Sequence, residues 1–145
     1  MVSPHPLPVV PQGPRAFRSR IRRQGPFAAL IPAGVLAAAA YLLLHNNTAS
    51  LRGVTGFGAT VLAAPALLAV GIPLTTAPGR FALGVVLSIA LWIVVGLVAA
   101  RRATRSPVAT WRNFWREYVW LAAGLWLGIA AALVVIEVAL GRAVL

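Results

Sequence analysis

The 145-residue chain has no cysteine and no lysine, and its only acidic residues are Glu117 and Glu137. Without cysteine there is neither disulfide nor thiol chemistry. Two carboxylates 20 positions apart and two histidines, His5 and His45, make neither a metal cage nor a nucleophile–base pair. The sequence therefore names no catalytic residue, no metal ligand and no cofactor, and an enzyme is not expected. Charge is scarce as well: 10% of residues are charged, against about 25% in ordinary soluble domains. Too little polar surface remains to cover a water-soluble core.

What is present is long apolar runs. Twenty-seven residues without charge separate Arg52 from Arg80, 20 separate Arg80 from Arg101, and 19 separate Glu117 from Glu137. Residues 27–44 add 18 more. A bilayer core about 30 Å thick takes about 20 apolar residues of helix, so all four runs are candidates. The expected fold is all-α: a polytopic transmembrane helical protein with three to four membrane segments, one of them broken by glycine and proline or re-entrant. Two regions are expected, a disordered, basic, proline-rich arm over residues 1–25 and a transmembrane helical domain over residues 26–145. The Arg22-Arg23 pair before an apolar run has the look of a twin-arginine signal, and an arginine-rich, acid-free start also suits a transit peptide. The length of the run and the spans after it favour a retained first helix.

All 13 basic residues are arginine, giving a formal net charge of +11. That excess could suggest nucleic acid. The arginines flank apolar runs instead of forming a basic domain, so the expected partner is the lipid bilayer and no nucleic acid. Within WRNFWREYVW, Trp111, Phe114, Trp115 and Tyr118 fall on one helical face, and Arg112, Asn113, Arg116 and Glu117 on the other. This pattern is expected in the membrane interface, with its rings at headgroup level.

Topology follows from counting. Arg15, Arg18, Arg20, Arg22 and Arg23 precede the first run, and Arg101, Arg102, Arg105, Arg112 and Arg116 follow the third. Arginine-rich segments prefer the cytoplasm. Three crossings between the clusters would separate them, whereas two keep them on one side. One run must enter and return, and the candidate is residues 53–74, which hold Gly53, Gly56, Gly58 and Pro65. Broken helices at membrane depth survive only where they are buried in protein or line a wet cavity. Half-helix N-termini favour anions. Thr55 and Thr60 could add hydroxyl donors, and Arg52 a full positive charge. Small residues packing against a neighbour, with a simple proline kink, would account for the same sequence.

The stretch RGVTGFGATVLAAPALLAVGIPL, from Arg52 onward, resembles the N-terminal signature of the sulfite exporter TauE/SafE family of membrane transporters. The match rests on Arg52, Gly53, Thr55, Gly56, Phe57, Gly58, Pro65, Gly71 and Pro73. The resemblance implies a carrier of small anions such as sulfite, sulfonates and related organic acids. It implies substrate contacts at Arg52, Gly53, Thr55, Gly56, Gly58 and Thr60, with Pro65 as the structural break. Family members have two similar halves, each with one glycine-rich element. This chain carries one, so it looks like the N-terminal half only, with a homodimer or a separately encoded second half as the expected completion. The runner-up expectation is a small structural or accessory membrane protein, or a transporter remnant without activity.

Three further positions stand out. Glu137, the one carboxylate inside an apolar run, is an ion- or proton-site candidate, with an interfacial position near Arg142 as the plainer reading. Arg80, just before an apolar run, is a second candidate anion contact or a boundary residue. Gly124 and Gly128 have the GxxxG spacing of close helix contacts.

Overall fold

A computed structural model describes residues 14–45, 50–71, 77–106 and 108–143, all in helices or short connections. The chain runs α1 (Pro14–Ala28), α2 (Leu30–Leu44), α3 (Ser50–Ala63), α4 (Ala66–Ala69), α5 (Pro78–Ala103) and α6 (Trp111–Ala143). No strand occurs among the described residues. Among the described residues, three stretches are long and apolar enough to cross a membrane: Arg15–Leu44, Pro78–Ala103 and Trp111–Ile136. The protein is an all-α polytopic membrane protein with three spans and one interrupted segment.

Helix α1 carries the first arginine cluster. The arm expected to be disordered over residues 1–25 is helical from Pro14 on, for two reasons. Proline at the start of a helix loses no bond it would have made, and arginine is a good helix former. Docking then fixes the helix: Ile21 is fully buried, and Gly25 comes so close to α5 and α6 that an added Cβ would meet Ala100 Cβ at 2.9 Å and Phe114 at 3.0 Å. Arg22 Nε donates to Thr104 Oγ1 at 3.1 Å, and Arg18 Nε to the Ser106 carbonyl at 3.3 Å. The two arginine-bearing segments thus meet at one end of the bundle, which the charge count requires.

A turn at Ala29 joins α1 to α2, with Ala29 still in right-handed helical geometry. Pro32, in the first turn of α2, supplies no N–H to the turn before it. The Tyr118 hydroxyl donates to the Ala29 carbonyl at 3.2 Å, and Ala29 N–H keeps its helical bond to Gly25 at 3.0 Å.

Helix α5 runs antiparallel to this first span. Gly96 is the contact point, since a Cβ there would lie 2.5 Å from Ala29 Cβ and 2.9 Å from Pro26 Cα. Around it sit Ala99, Ala100 and Ala103 of α5 with Phe114 and Tyr118 of α6. Membrane helices gain little from burying leucine, so small residues that let backbones approach are what join them. The aromatic face of α6, expected at headgroup level, turns inward. Phe114 is fully buried and Tyr118 nearly so, with Trp115 edge-on to both at 5.2 and 5.5 Å. Gly124 and Gly128 meet nothing within 4 Å, so the GxxxG face is open in the single chain.

Gly96→Val should force α1 away from α5, an overpacking cost of about 1–3 kcal/mol. Limited trypsin digestion of the protein in nanodiscs should then cut at Arg18–Arg23 several-fold faster than in the native chain, with α6 uncut. Unchanged cleavage would mean that Gly96 does not hold the helix in place.

Candidate functional site

The segment after α2 doubles back on itself. Helix α3 packs alongside α2 in the opposite direction, and Gly56 lies against Leu43 and Leu44. It descends until Ala63 reaches Trp92, about 21 Å along α5 from Pro78. There the helix stops. Ala66 is next to Ser88, and Leu67 and Val70 lie over Gly84. The contacts therefore climb back up α5 toward the end where α3 began. Gly71 makes the following turn with φ of 83°, which glycine adopts without strain. Residues 72–76, including Pro73, lie outside the described residues.

Pro65 causes the break. It has no N–H to give the Val61 carbonyl, and its ring opposes a continuing helix. The three glycines do not contribute: α3 is continuous through Gly53, Gly56 and Gly58. A glycine in a helix costs about 1 kcal/mol but keeps its donor. The interruption is thus shorter and deeper than the glycine spacing alone implies.

Two side chains of α5 close the broken end. Trp92 Nε1 donates to the Ala63 carbonyl at 2.8 Å. The Ala66 N–H donates to Ser88 Oγ at 3.1 Å, while Ser88 Oγ–H donates to the Gly84 carbonyl at 2.7 Å. Both side chains are buried. Sequence reasoning missed them. The signal was a four-residue period on α5, Gly84, Ser88, Trp92, Gly96 and Ala100, which puts a hydroxyl and an indole N–H on the same small-residue face.

Beside the break, a half-open cleft of about 760 Å³ separates α2 from α5. From α2 it is lined by Leu30, Gly34, Ala37, Tyr41 and Leu44, and His45 follows at the rim. Thr60 and Leu67 line it from the interrupted segment, and Phe81, Ser88 and Trp92 from α5. No charged residue lines it. The polar side chains at depth are already engaged: Thr60 Oγ1 donates to the Gly56 carbonyl at 2.9 Å, and Ser88 and Trp92 hold the break. At the rim, Tyr41 and His45 stack with ring centroids 5.2 Å apart.

The residues that the resemblance marks for substrate therefore separate into two groups. Arg52 is exposed and stands in the first turn of α3, and Gly53 opens the next turn. Amides in a first turn have no carbonyl within the helix to bond. The amides of Gly56 and Gly58 lie inside the helix, where carbonyls four residues back engage them. The Thr55 hydroxyl donates back to the carbonyls of Leu51 and Arg52 at 3.0 and 3.1 Å. Thr60 lines the cleft, and Pro65 is buried next to Ala64, which lines it. The side chain of Glu137 lies outside the described residues.

Charge is concentrated at the rim. Arg52 is about one helical turn beyond the Gly56–Leu44 contact. Arg80 directly precedes Phe81, which lines the cleft. The N-termini of α3 and α5 lie at this same end, and helix N-termini carry partial positive charge. Neither acidic residue of the chain is in these elements. The rim is electropositive and the interior is neutral.

Comparison with protein-family models, with curated proteins and with solved structures finds no match to this chain.

Removing either cap should loosen the break alone. Trp92→Phe leaves the Ala63 carbonyl without a donor, and Ser88→Ala leaves the Ala66 N–H without an acceptor. Each should cost about 1–3 kcal/mol. Hydrogen exchange in nanodiscs should rise at residues 63–70 in both variants while α6 keeps its protection. Equal exchange throughout the chain would show that the caps do not hold the segment.

Proposed function

We propose that the chain is one half of a membrane carrier for small anions, such as sulfite, sulfonates or related organic acids, and that a second copy or a separately encoded chain completes it. The observation that carries this reading is the helix that enters to mid-depth, stops at Pro65 beside a cleft and turns back. Interrupted helices facing a cavity at the bilayer midplane are the places where secondary transporters hold substrates. The resemblance of the Arg52–Pro73 positions to the TauE/SafE signature supports the same reading.

Anion selection begins at the rim. Arg52 and the first-turn amides of α3 attract an oxyanion. Arg80 adds a second charge at the same end. Both arginine-rich segments face the cytoplasm of an inner-membrane protein, as their charge favours. The N-terminus is then cytoplasmic and the electropositive rim faces the other side.

The neutral lining of the cleft favours a second reading, an accessory membrane protein with no path for ions. Water decides between the two. The chain has no native cysteine, so Thr60→Cys can be labelled without background. In a carrier, this position reacts with membrane-impermeant aqueous thiol reagents; protection from them supports the accessory reading. Arg52→Ala should lower anion flux into proteoliposomes about tenfold, the equivalent of one charge-assisted contact. Insertion, scored by glycosylation or protease mapping, should be unchanged. Undiminished flux in this variant would remove Arg52 from the site.

A further inference from the structure

We infer that the cleft holds the tail of a single-chain anionic amphiphile, a long-chain carboxylate, with its head at the Arg52–Arg80 rim. The inference takes its head-group contacts from the anion reading above; the tail site stands on the cleft itself.

The lining residues of α2 recur with a spacing near 3.5, from Leu30 through Gly34, Ala37 and Tyr41 to Leu44. They form a stripe about 21 Å long, parallel to the helix axis. A groove of that length runs past the depth of one bilayer leaflet, about 15 Å. Its volume of about 760 Å³ lies within the range of roughly 300–1,000 Å³ that encloses organic ligands. It is far larger than a sulfite-sized oxyanion needs.

Chemistry along the groove is graded. The lower walls are alkyl and aromatic, and the polar atoms of Thr60, Ser88 and Trp92 are bonded within the protein. A small hydrated anion finds no free donor at that depth in this conformation, so its contacts are at the rim. A hydrocarbon tail loses nothing. At the rim the balance reverses, with Arg52, Arg80 and two helix N-termini collected at one end and no carboxylate to neutralise them. A neutral lipid tail would leave that charge unused, and a small oxyanion would leave the apolar length unused. An ionised head on one long chain uses both.

The test is made on the full chain in phosphatidylcholine nanodiscs. Trp111, Trp115, Trp120 and Trp126 are replaced by Phe, so that Trp92 alone fluoresces. Stearate brominated at mid-chain should quench Trp92 saturably. Unlabelled stearate should compete, octadecanol should compete about tenfold more weakly, and acetate should not compete. Ala37→Phe fills the cleft and should abolish quenching. Arg52→Ala with Arg80→Ala should weaken stearate to the level of octadecanol. Native mass spectrometry of the chain with all its tryptophans should show one stearate per chain, lost in Ala37→Phe. Non-saturable quenching, or quenching indifferent to Ala37→Phe, overturns the tail site. So does a second protein chain that displaces stearate on binding. Octadecanol equal to stearate overturns the charged rim. Sulfite flux that persists in Ala37→Phe and resists stearate leaves the carrier reading standing and removes this one. Stearate binding without sulfite flux does the opposite.

Discussion

A helix that ends inside a bilayer leaves backbone groups with no water to bond, and each such group costs several kcal/mol. Pro65 imposes that ending, and the rest of the bundle is arranged to meet it. Trp92 and Ser88 reach the break from α5. They can do so only because Gly84 and Gly96 bring α5 against α4 on one side and against α1 on the other. Trp92 also lies 6.0 Å from Tyr118, whose hydroxyl serves the bend at Ala29. The broken end on one neighbour of α5 and the α1–α2 junction on the other are therefore each reached by an aromatic donor, and the two donors are in contact. The packing of small residues and the satisfaction of the breaks are one arrangement.

The same arrangement explains where the cleft lies. Trp92 and Ser88 draw the interrupted segment onto α5, while Gly56 keeps α3 on α2. The lower, arginine-bearing end of the first span is held by Gly96, and the upper length of α2 stands off from α5. The gap between them is the cleft. Its neutrality is a consequence of its walls, since the hydroxyls of Thr60 and Ser88 and the Trp92 indole N–H all donate to backbone carbonyls.

The spans were legible because charge is so rare that each gap of about 20 residues stands out. The return of residues 53–74 was legible too: two arginine clusters on one side admit an even number of crossings, and Pro65 marks the segment that must turn. The capping residues were not. A single serine and a single tryptophan within residues 81–100 have no periodic signature until the small residues on their face are counted with them. The helicity of α1 was hidden for the opposite reason. Its composition is that of a disordered arm, and only the docking of Ile21 and Gly25 gives it a fixed partner. The inward turn of Phe114 and Tyr118 escaped because periodicity identifies a face without saying which way it points. At Gly53, Gly56 and Gly58, composition suggested a broken backbone, but intact hydrogen bonding keeps the helix whole.

The position of the two caps sets an order of assembly. During synthesis, residues 50–71 leave the ribosome before Ser88 and Trp92 do. The hairpin cannot settle at depth at that stage, because its broken end would face hydrocarbon with nothing to bond. It must wait at the membrane surface, where water serves it, until α5 has been inserted and turned its small-residue face inward. The arginine pair at the end of α5, Arg101 and Arg102, fixes that helix on the side of the first cluster and so holds the caps at the right height. Biogenesis of this protein is thus not strictly sequential: its third helix is completed by its fifth.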